Sequence, residues 1–308
     1  MATIGVVNPG SQHGLGHSAA LVAGVLESAG HDVRRYDIVD PVPTEVAFGA
    51  VILLERLVEH WIAASERTAL VPNPEWLLDE DLHLLDRVDV VLAKTQHPVA
   101  AFEARGCRVV HVGFTSRDQL LPEVERTFSQ WLHVAGSSRH KGTDTLVDTW
   151  AANPDFPQLT IVQTSGFMQK TLPANVSLIA EYLPDAIVQV LQNRSAVHVC
   201  PSEVEGWGHY IAEGLSAGAV VITTDAPPMN ELVRPDHGVL CPPDSCVPMR
   251  LGTRYLVGVD ALEATIHSML ERDVDDLREL GRRAREFYVT NDEAFRARLT
   301  AAVADLVE

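Results

Sequence analysis

Lysine is almost missing from this chain. Lys94, Lys141 and Lys170 are the whole supply, and the rest of its 24 lysine and arginine residues are arginines. A lysine inside a motif is therefore harder to dismiss as chance. Positive charge is scarce altogether, with a formal net charge of −18. That balance argues against nucleic acid or an anionic membrane as an extended partner, because either needs a basic surface. A small anion in a local positive pocket stays open. Cysteine is limited to Cys107, Cys200, Cys241 and Cys246, with no C-x-x-C pairing. This spacing argues against a zinc site and fits a reduced, cytoplasmic protein. No apolar run reaches the length of a membrane span. The N-terminal "MATIGVVNP" has no basic region ahead of its apolar residues, so it reads as a first strand and not as a signal peptide. Low-complexity tracts and short repeats are missing as well.

What is present is alternation. The 308 residues are 46% hydrophobic, enough for two domains with sizeable cores. "TIGVVNP" predicts a strand, "HSAALVAGVLESAG" a helix stopped by Gly30, then "DVRRYDIV", "GAVILLE" and "VDVVLAKT" strands. "PVAAFEARG" predicts a short helix and "CRVVHVGF" a strand. After a connection over 115–128 the pattern restarts, with strands at 131–136, 159–165, 176–180, 196–202, 219–225 and 237–243. The tail predicts two helices, "DDLRELGRRAREFYV" and "EAFRARLTAAVADLVE". Such alternation predicts parallel sheets covered on both faces, hence an α/β chain of two Rossmann-like domains over about 1–125 and 130–290.

The segment "EGWGHYIAEGLSAGAVVITTD" (205–225) carries the chemistry. It runs from the end of a predicted strand through a glycine-rich loop into a helix. Ligands of open parallel sheets bind beyond such strand ends. Gly206 and Gly208 let the backbone approach a ligand, and the helix start offers free N–H groups to phosphate. Glu213 lies inside the helix, and neither His209, Tyr210, Ser216 nor Ala217 is a lysine or arginine that could pair with it. An apolar site for an unpaired acid is costly unless something bonds to it. Glu213 could accept two ribose hydroxyls, and Glu205, in the loop, the hydroxyls of a second sugar.

The stretch "PSEVEGWGHYIAEGLSAGAVVITTDAPPMNELVRPDHGVLCPP" (201–243) resembles the signature of retaining GT-B glycosyltransferases of family 4, also called group 1. That signature is PS-x-x-EG-[FW]-G, a second Glu after seven intervening residues, A-x-G-x-[PV]-V, a further Glu and G-x-L-x-P. "WLHVAGSSRHKGTDTLVDTW" resembles the strand, loop and helix that carry the family's basic residues, and "NVSLIAEYLPDAIVQVLQNRSAVHVCPS" its base-binding strand and following helix. The resemblance implies a GT-B fold, two Rossmann-like domains facing a cleft, with a C-terminal helix over 291–308 crossing back to the abbreviated N-terminal domain. It implies that Glu205 contacts the donor sugar, with the N–H groups of Gly206, Trp207 and Gly208 near sugar and phosphate. Glu213 would hold the ribose, Lys141 would neutralise the diphosphate, and Tyr182 would flank the base. The family's usual arginine has no match: Gly136 and Ser137 fall near its place. Arg139 lies in a shifted register, which leaves the second phosphate cation open.

The N-terminal half says less. "NPGSQHGLGH" is a glycine-rich loop that the family places near phosphates and acceptor, with His13, Gly14, Gly16 and His17 as candidates. Its G-x-G-x-x-A letters begin about six residues after the strand, too late for a dinucleotide fingerprint. His97, just past a strand end, is a candidate contact to the transferred sugar. Asp79-Glu80-Asp81 mimics a metal-binding D-x-D, but it sits in a charged helical stretch and reads as a solvated helix start. The expected activity is that of a hexosyltransferase-like enzyme (EC 2.4): metal-independent, retaining transfer from a UDP or GDP sugar, as co-substrate, to an unidentified acceptor. No cofactor is expected. A catalytically silent nucleotide-sugar-binding sensor or partner subunit is the alternative, and a sugar-nucleotide epimerase a further one.

Overall fold

Apolar runs bounded by glycine, proline and polar residues become strands buried on both faces, as parallel sheets require. The computed structural model describes residues 2–10, 14–164 and 170–308. They form two units. One comprises Met1–Ser116, Pro248–Thr253 and Asn291–Glu308, the other Arg117–Val247 and Arg254–Thr290.

The first unit runs β1 (Thr3–Asn8), α1 (Gly14–Ser28), β2 (Asp32–Asp37), β3 (Ala50–Leu54), α2 (Glu59–Ile62), β4 (Thr68–Val71), a 3-10 helix (Asp79–Arg87), β5 (Val90–Ala93), α3 (Val99–Glu103) and β6 (Val109–His111). Its six strands lie in the order β2-β1-β3-β4-β5-β6, all pairs parallel. Every residue of β3 is buried, and Leu53, Leu70 and Val91 pack with Trp61 and Phe102 in the core.

In the second unit β7 (Thr127–Gly136), α4 (Thr143–Ala152), β8 (Gln158–Gln163), β9 (Val176–Ile179), α5 (Asp185–Arg194), β10 (Ser195–Cys200), α6 (His209–Ser216), β11 (Val220–Thr224), α7 (Met229–Leu232) and β12 (Val239–Cys241) follow one another. A hairpin, β13 (Ser245–Met249) and β14 (Gly252–Leu256), precedes α8 (Val259–Leu270) and α9 (Val274–Val307). The strand order is β12-β11-β10-β7-β8-β9, again parallel. Trp131, Trp150 and Phe156 anchor its core. The order reverses between β7 and β10, so the loops leaving these neighbours open a crevice, the usual ligand site of such sheets.

Five features depart from the sequence reading. Strand β4 and the hairpin were not expected. The two tail helices are one 34-residue helix. "TND" (290–292) does not break it, since the interior penalty of Asn or Asp is a fraction of a kcal/mol. Asn291 also donates to the Phe114 carbonyl at 2.7 Å, and Asp292 accepts from Arg296 one turn on. Helix α1 begins at Gly14, inside the expected loop, because packing against β1 and β2 outweighs glycine's low propensity. Asp81, finally, is buried and accepts from Arg56 at 2.5 Å, while Glu80 meets the same guanidinium at 3.3 Å. Two of the three acids are therefore held by an arginine, and Asp81 is not solvated.

Candidate functional site

The two loops at the crevice touch. From the loop after β7, the Lys141 ammonium donates to Glu205 in the loop after β10, and both side chains are nearly enclosed, at 15% and 10% exposure. Ser202 Oγ also donates to Glu205 Oε1 at 2.6 Å. Because that hydroxyl's proton is committed, the Tyr210 hydroxyl, 2.5 Å away, is the donor to Ser202. Burial pushes the Tyr210 phenol well above its ordinary pKa, so it stays protonated. The lysine ammonium lies 4.2 Å from the Tyr210 ring centroid, a cation–π contact. Tyr210 and Ser202 were not singled out from the sequence. Their signal is spacing: Tyr210 follows Glu205 by five residues, one of them a left-handed glycine that turns the chain back.

Two glycines permit this geometry. Gly208, ahead of α6, has φ 95°, a region that side chains disfavour. Gly142, ahead of α4, has φ 68°, and a Cβ there would stand 2.2 Å from the Pro201 carbonyl oxygen. We expect Gly142→Ala to drive the two loops apart, to lower stability by at least ~2 kcal/mol in denaturant melts and to weaken nucleotide binding with it. An unchanged melting midpoint would contradict this account.

Histidine 133 fastens the crevice from below. Its Nδ1–H donates to Val199 O on β10 at 2.7 Å, and Nε2 accepts from Thr143 Oγ1 at the start of α4 at 2.9 Å. Burial lowers its pKa to about 4, so the ring is neutral near pH 7. Glu203 joins a third element. Its carboxylate pairs with Arg254 of the hairpin at 2.7 Å and with His140 at 3.4 Å, and its carbonyl accepts from Tyr255 N at 2.7 Å.

Glu213 sits on α6 and keeps some solvent exposure. Its partner comes from another helix: Gln192 Nε2, on α5, donates to Oε2 at 2.9 Å. Burial pushes its pKa up to about 7, against the lowering effects of Gln192, Arg117 and Lys141. The remaining expected residues are spread wider. Gly206 and the buried Trp207 stand in the same loop as Glu205, and Ser137 and Arg139 are exposed in the loop of Lys141. Tyr182, 67% exposed, follows β9 at the sheet edge. In the first unit, Gly14, Gly16 and His17 lie in the first turn of α1, and His97 is half-buried between β5 and α3. His13 lies outside the described residues.

Residues 164–247, which include Glu205, Glu213 and the helix between the two strands at its flanks, match the model of the family "Glycosyl transferases group 1". Over this segment the chain is similar to the group 1 glycosyltransferases. Among curated proteins none matches the sequence. Solved structures resemble this chain along nearly its whole length. A sucrose-phosphate synthase from Thermosynechococcus elongatus superposes with TM-score 0.75 at 15% identity, covering 99% of both chains. Anabaena HepE, solved in complex with UDP-glucose, gives TM-score 0.72 at 14% identity over 99% of this chain and 100% of its own. A glycosyltransferase from Rickettsia africae gives 0.71 at 14% identity over 99% and 97%. At such identities the likeness shows the fold, which is GT-B, with two Rossmann-like units.

Proposed function

We propose that this protein is a glycosyltransferase that moves a sugar from a nucleotide-diphosphate donor, a UDP sugar first of all, to an acceptor with retention of anomeric configuration and without a metal ion. The observation that carries the reading is the Lys141–Glu205 pair, seated where the loops after β7 and β10 meet. A diphosphate over the N-terminus of α6 meets free N–H groups and the positive end of the helix dipole. Lys141 exchanges Glu205 for the phosphates, and Glu205, released, accepts hydroxyls of the donor sugar. Glu213 accepts the ribose hydroxyls. Preorganised cation and N–H dipoles then stabilise the departing diphosphate, the main charge that develops. Glu205 is an acceptor already engaged by Lys141 and Ser202, which suits sugar positioning better than proton abstraction. Retention therefore proceeds by front-face attack, with the leaving phosphate taking the acceptor proton. Support for a UDP donor comes from the Anabaena relative, solved with UDP-glucose.

The test is turnover of UDP and GDP sugars, with and without chelator, and magnetic resonance of the first-formed product. Release of free sugar or transfer, unaffected by chelator, with the donor's anomeric configuration is the expected result. An inverted product, or an enzyme revived only by a divalent ion, would sink the corresponding half of the proposal. Tight binding without turnover of any donor would make the chain a silent binder.

A further inference from the structure

Gln192, in contact with Glu213, is a fully buried side chain whose hydrogen bonding is half complete. It is 1% exposed. Its Nε2 donates to the Glu213 carboxylate at 2.9 Å, and its Oε1 is buried with no hydrogen-bond partner. An orphaned buried acceptor is costly, so the arrangement needs a reason. The end of α5 is held rigidly around it. The Gln192 carbonyl accepts from His198 Nε2 at 2.9 Å. The next residue, Asn193, donates to Gln119 O at 2.6 Å and to Gln189 O at 2.9 Å, and accepts from Leu121 N at 2.8 Å. His198 in turn abuts Gly214, where a Cβ would come within 2.7 Å of its Nδ1. The backbones around Gln192 and Glu213 are thus held, and rotation about the last side-chain torsion of Gln192 exchanges the amide's nitrogen and oxygen.

We propose that Gln192 is a positioning residue that reads the protonation state of Glu213: its NH2 holds the carboxylate for the nucleotide ribose, and its carbonyl, turned over, accepts the proton of the carboxylic acid. The orphaned Oε1 is then the acceptor of the second state. Only the ionised state offers two lone-pair acceptors to ribose hydroxyls, so nucleotide affinity follows the ionisation of Glu213. The charged groups facing this carboxyl are Arg117, before β7, Asp185 at the start of α5, and Lys141 in the loop after β7. Arg117 and Asp185 pair with each other at 2.7 Å, and Lys141 with Glu205. Burial dominates over all of them and brings the transition to about pH 7. The inference rests on the nucleotide reading above for its functional consequence, but not for the coupling itself.

Two measurements test it. Carbon-13 resonance of glutamate-labelled protein follows the Glu213 carboxyl, identified by its loss in Glu213→Gln. Calorimetry follows the affinity of UDP, with GDP alongside, from pH 5.5 to 9. The expected carboxyl midpoint is near neutrality, rising by roughly one pH unit in Gln192→Met, which keeps volume and removes the donor. UDP affinity is expected to fall about tenfold per pH unit below the midpoint. The Met variant loses affinity at pH 7 and regains it at pH 9, whereas a merely structural defect would weaken binding at every pH. A carboxyl titrating at its ordinary value in the wild type, or an equal midpoint in the Met variant, overturns the inference. Gln192→Leu, which also removes the donor and is read in the same way, stands in if Gln192→Met does not fold. Glu213-dependent UDP binding that is flat with pH also overturns the inference and leaves the nucleotide reading standing. The expected carboxyl behaviour with no binding of either nucleotide does the reverse.

Discussion

Lys141→Ala is expected to lower turnover by roughly 10²–10³-fold, the usual effect of removing one preorganised group that stabilises a departing charge. The affinity for the donor should fall less. Negative charge on the diphosphate grows as the glycosidic bond breaks, so a cation there acts mainly on the transition state. Substitution elsewhere does not supply the charge readily: the chain has three lysines, and Lys170 is engaged with Asp148 at 2.5 Å. The variant also strands Glu205, 10% exposed, with Ser202 as its remaining partner. A thermal melt therefore accompanies the kinetics, and Lys141→Arg, which keeps the charge but not the compact ammonium, should recover part of the rate. Turnover within about threefold of wild type in a folded Lys141→Ala enzyme corresponds to well under 1 kcal/mol and would remove Lys141 from the leaving-group site. Loss of turnover on Arg139→Ala instead would move the role there.

Glu213→Gln should move affinity and stability in opposite directions. On the proposed reading the carboxylate makes charge-assisted hydrogen bonds to ribose, and their loss should weaken nucleotide binding by roughly 1.5–3 kcal/mol. The same change spares the fold a half-buried charge. The folded-state pKa of about 7 lies above the ordinary 4.5, so the folded protein holds this proton more tightly than the unfolded chain. Ionisation therefore begins to destabilise the fold as pH rises past about 4.5, and the penalty is complete above about 7. The glutamine variant should be more stable by about 1–3 kcal/mol at pH 8, after a discount for solvent screening, with the gain vanishing toward pH 4.5. Urea melts at the two pH values check the sign. A variant less stable than wild type at pH 8 would contradict the burial account, and unchanged calorimetric affinity would sink the ribose assignment.

Much of this was legible because it is local. Runs such as "AVILL" and "SAVHVC" are apolar on both faces, and only a sheet covered twice can hide them, so α/β architecture followed from composition and order alone. Glycines and acids at fixed spacing in 205–213 announced a glycine-rich loop and a helix that carries a carboxylate. Strand β4 escaped notice because four residues hold no periodicity to distinguish them. The tail was divided at Asn and Asp because these are local helix-weak residues; of the bonds that carry α9 through them, the i,i+4 pair of Asp292 with Arg296 is local, whereas the bond from Asn291 to the Phe114 carbonyl depends on how the chain packs.

The contacts of the candidate site depend on tertiary structure. Lys141 and Glu205 are 64 residues apart, and Gln192 and Glu213 are 21 apart on different helices. Neither separation is a helical or strand period, so no local pattern could couple them. They meet because β10 pairs beside β7 and not beside β9, its predecessor in the chain. That choice is made by the burial of whole strands and by the handedness of their crossovers, quantities that no short window of sequence contains. The sequence alone determined which groups were available at the strand ends; sheet order decided which of them could touch.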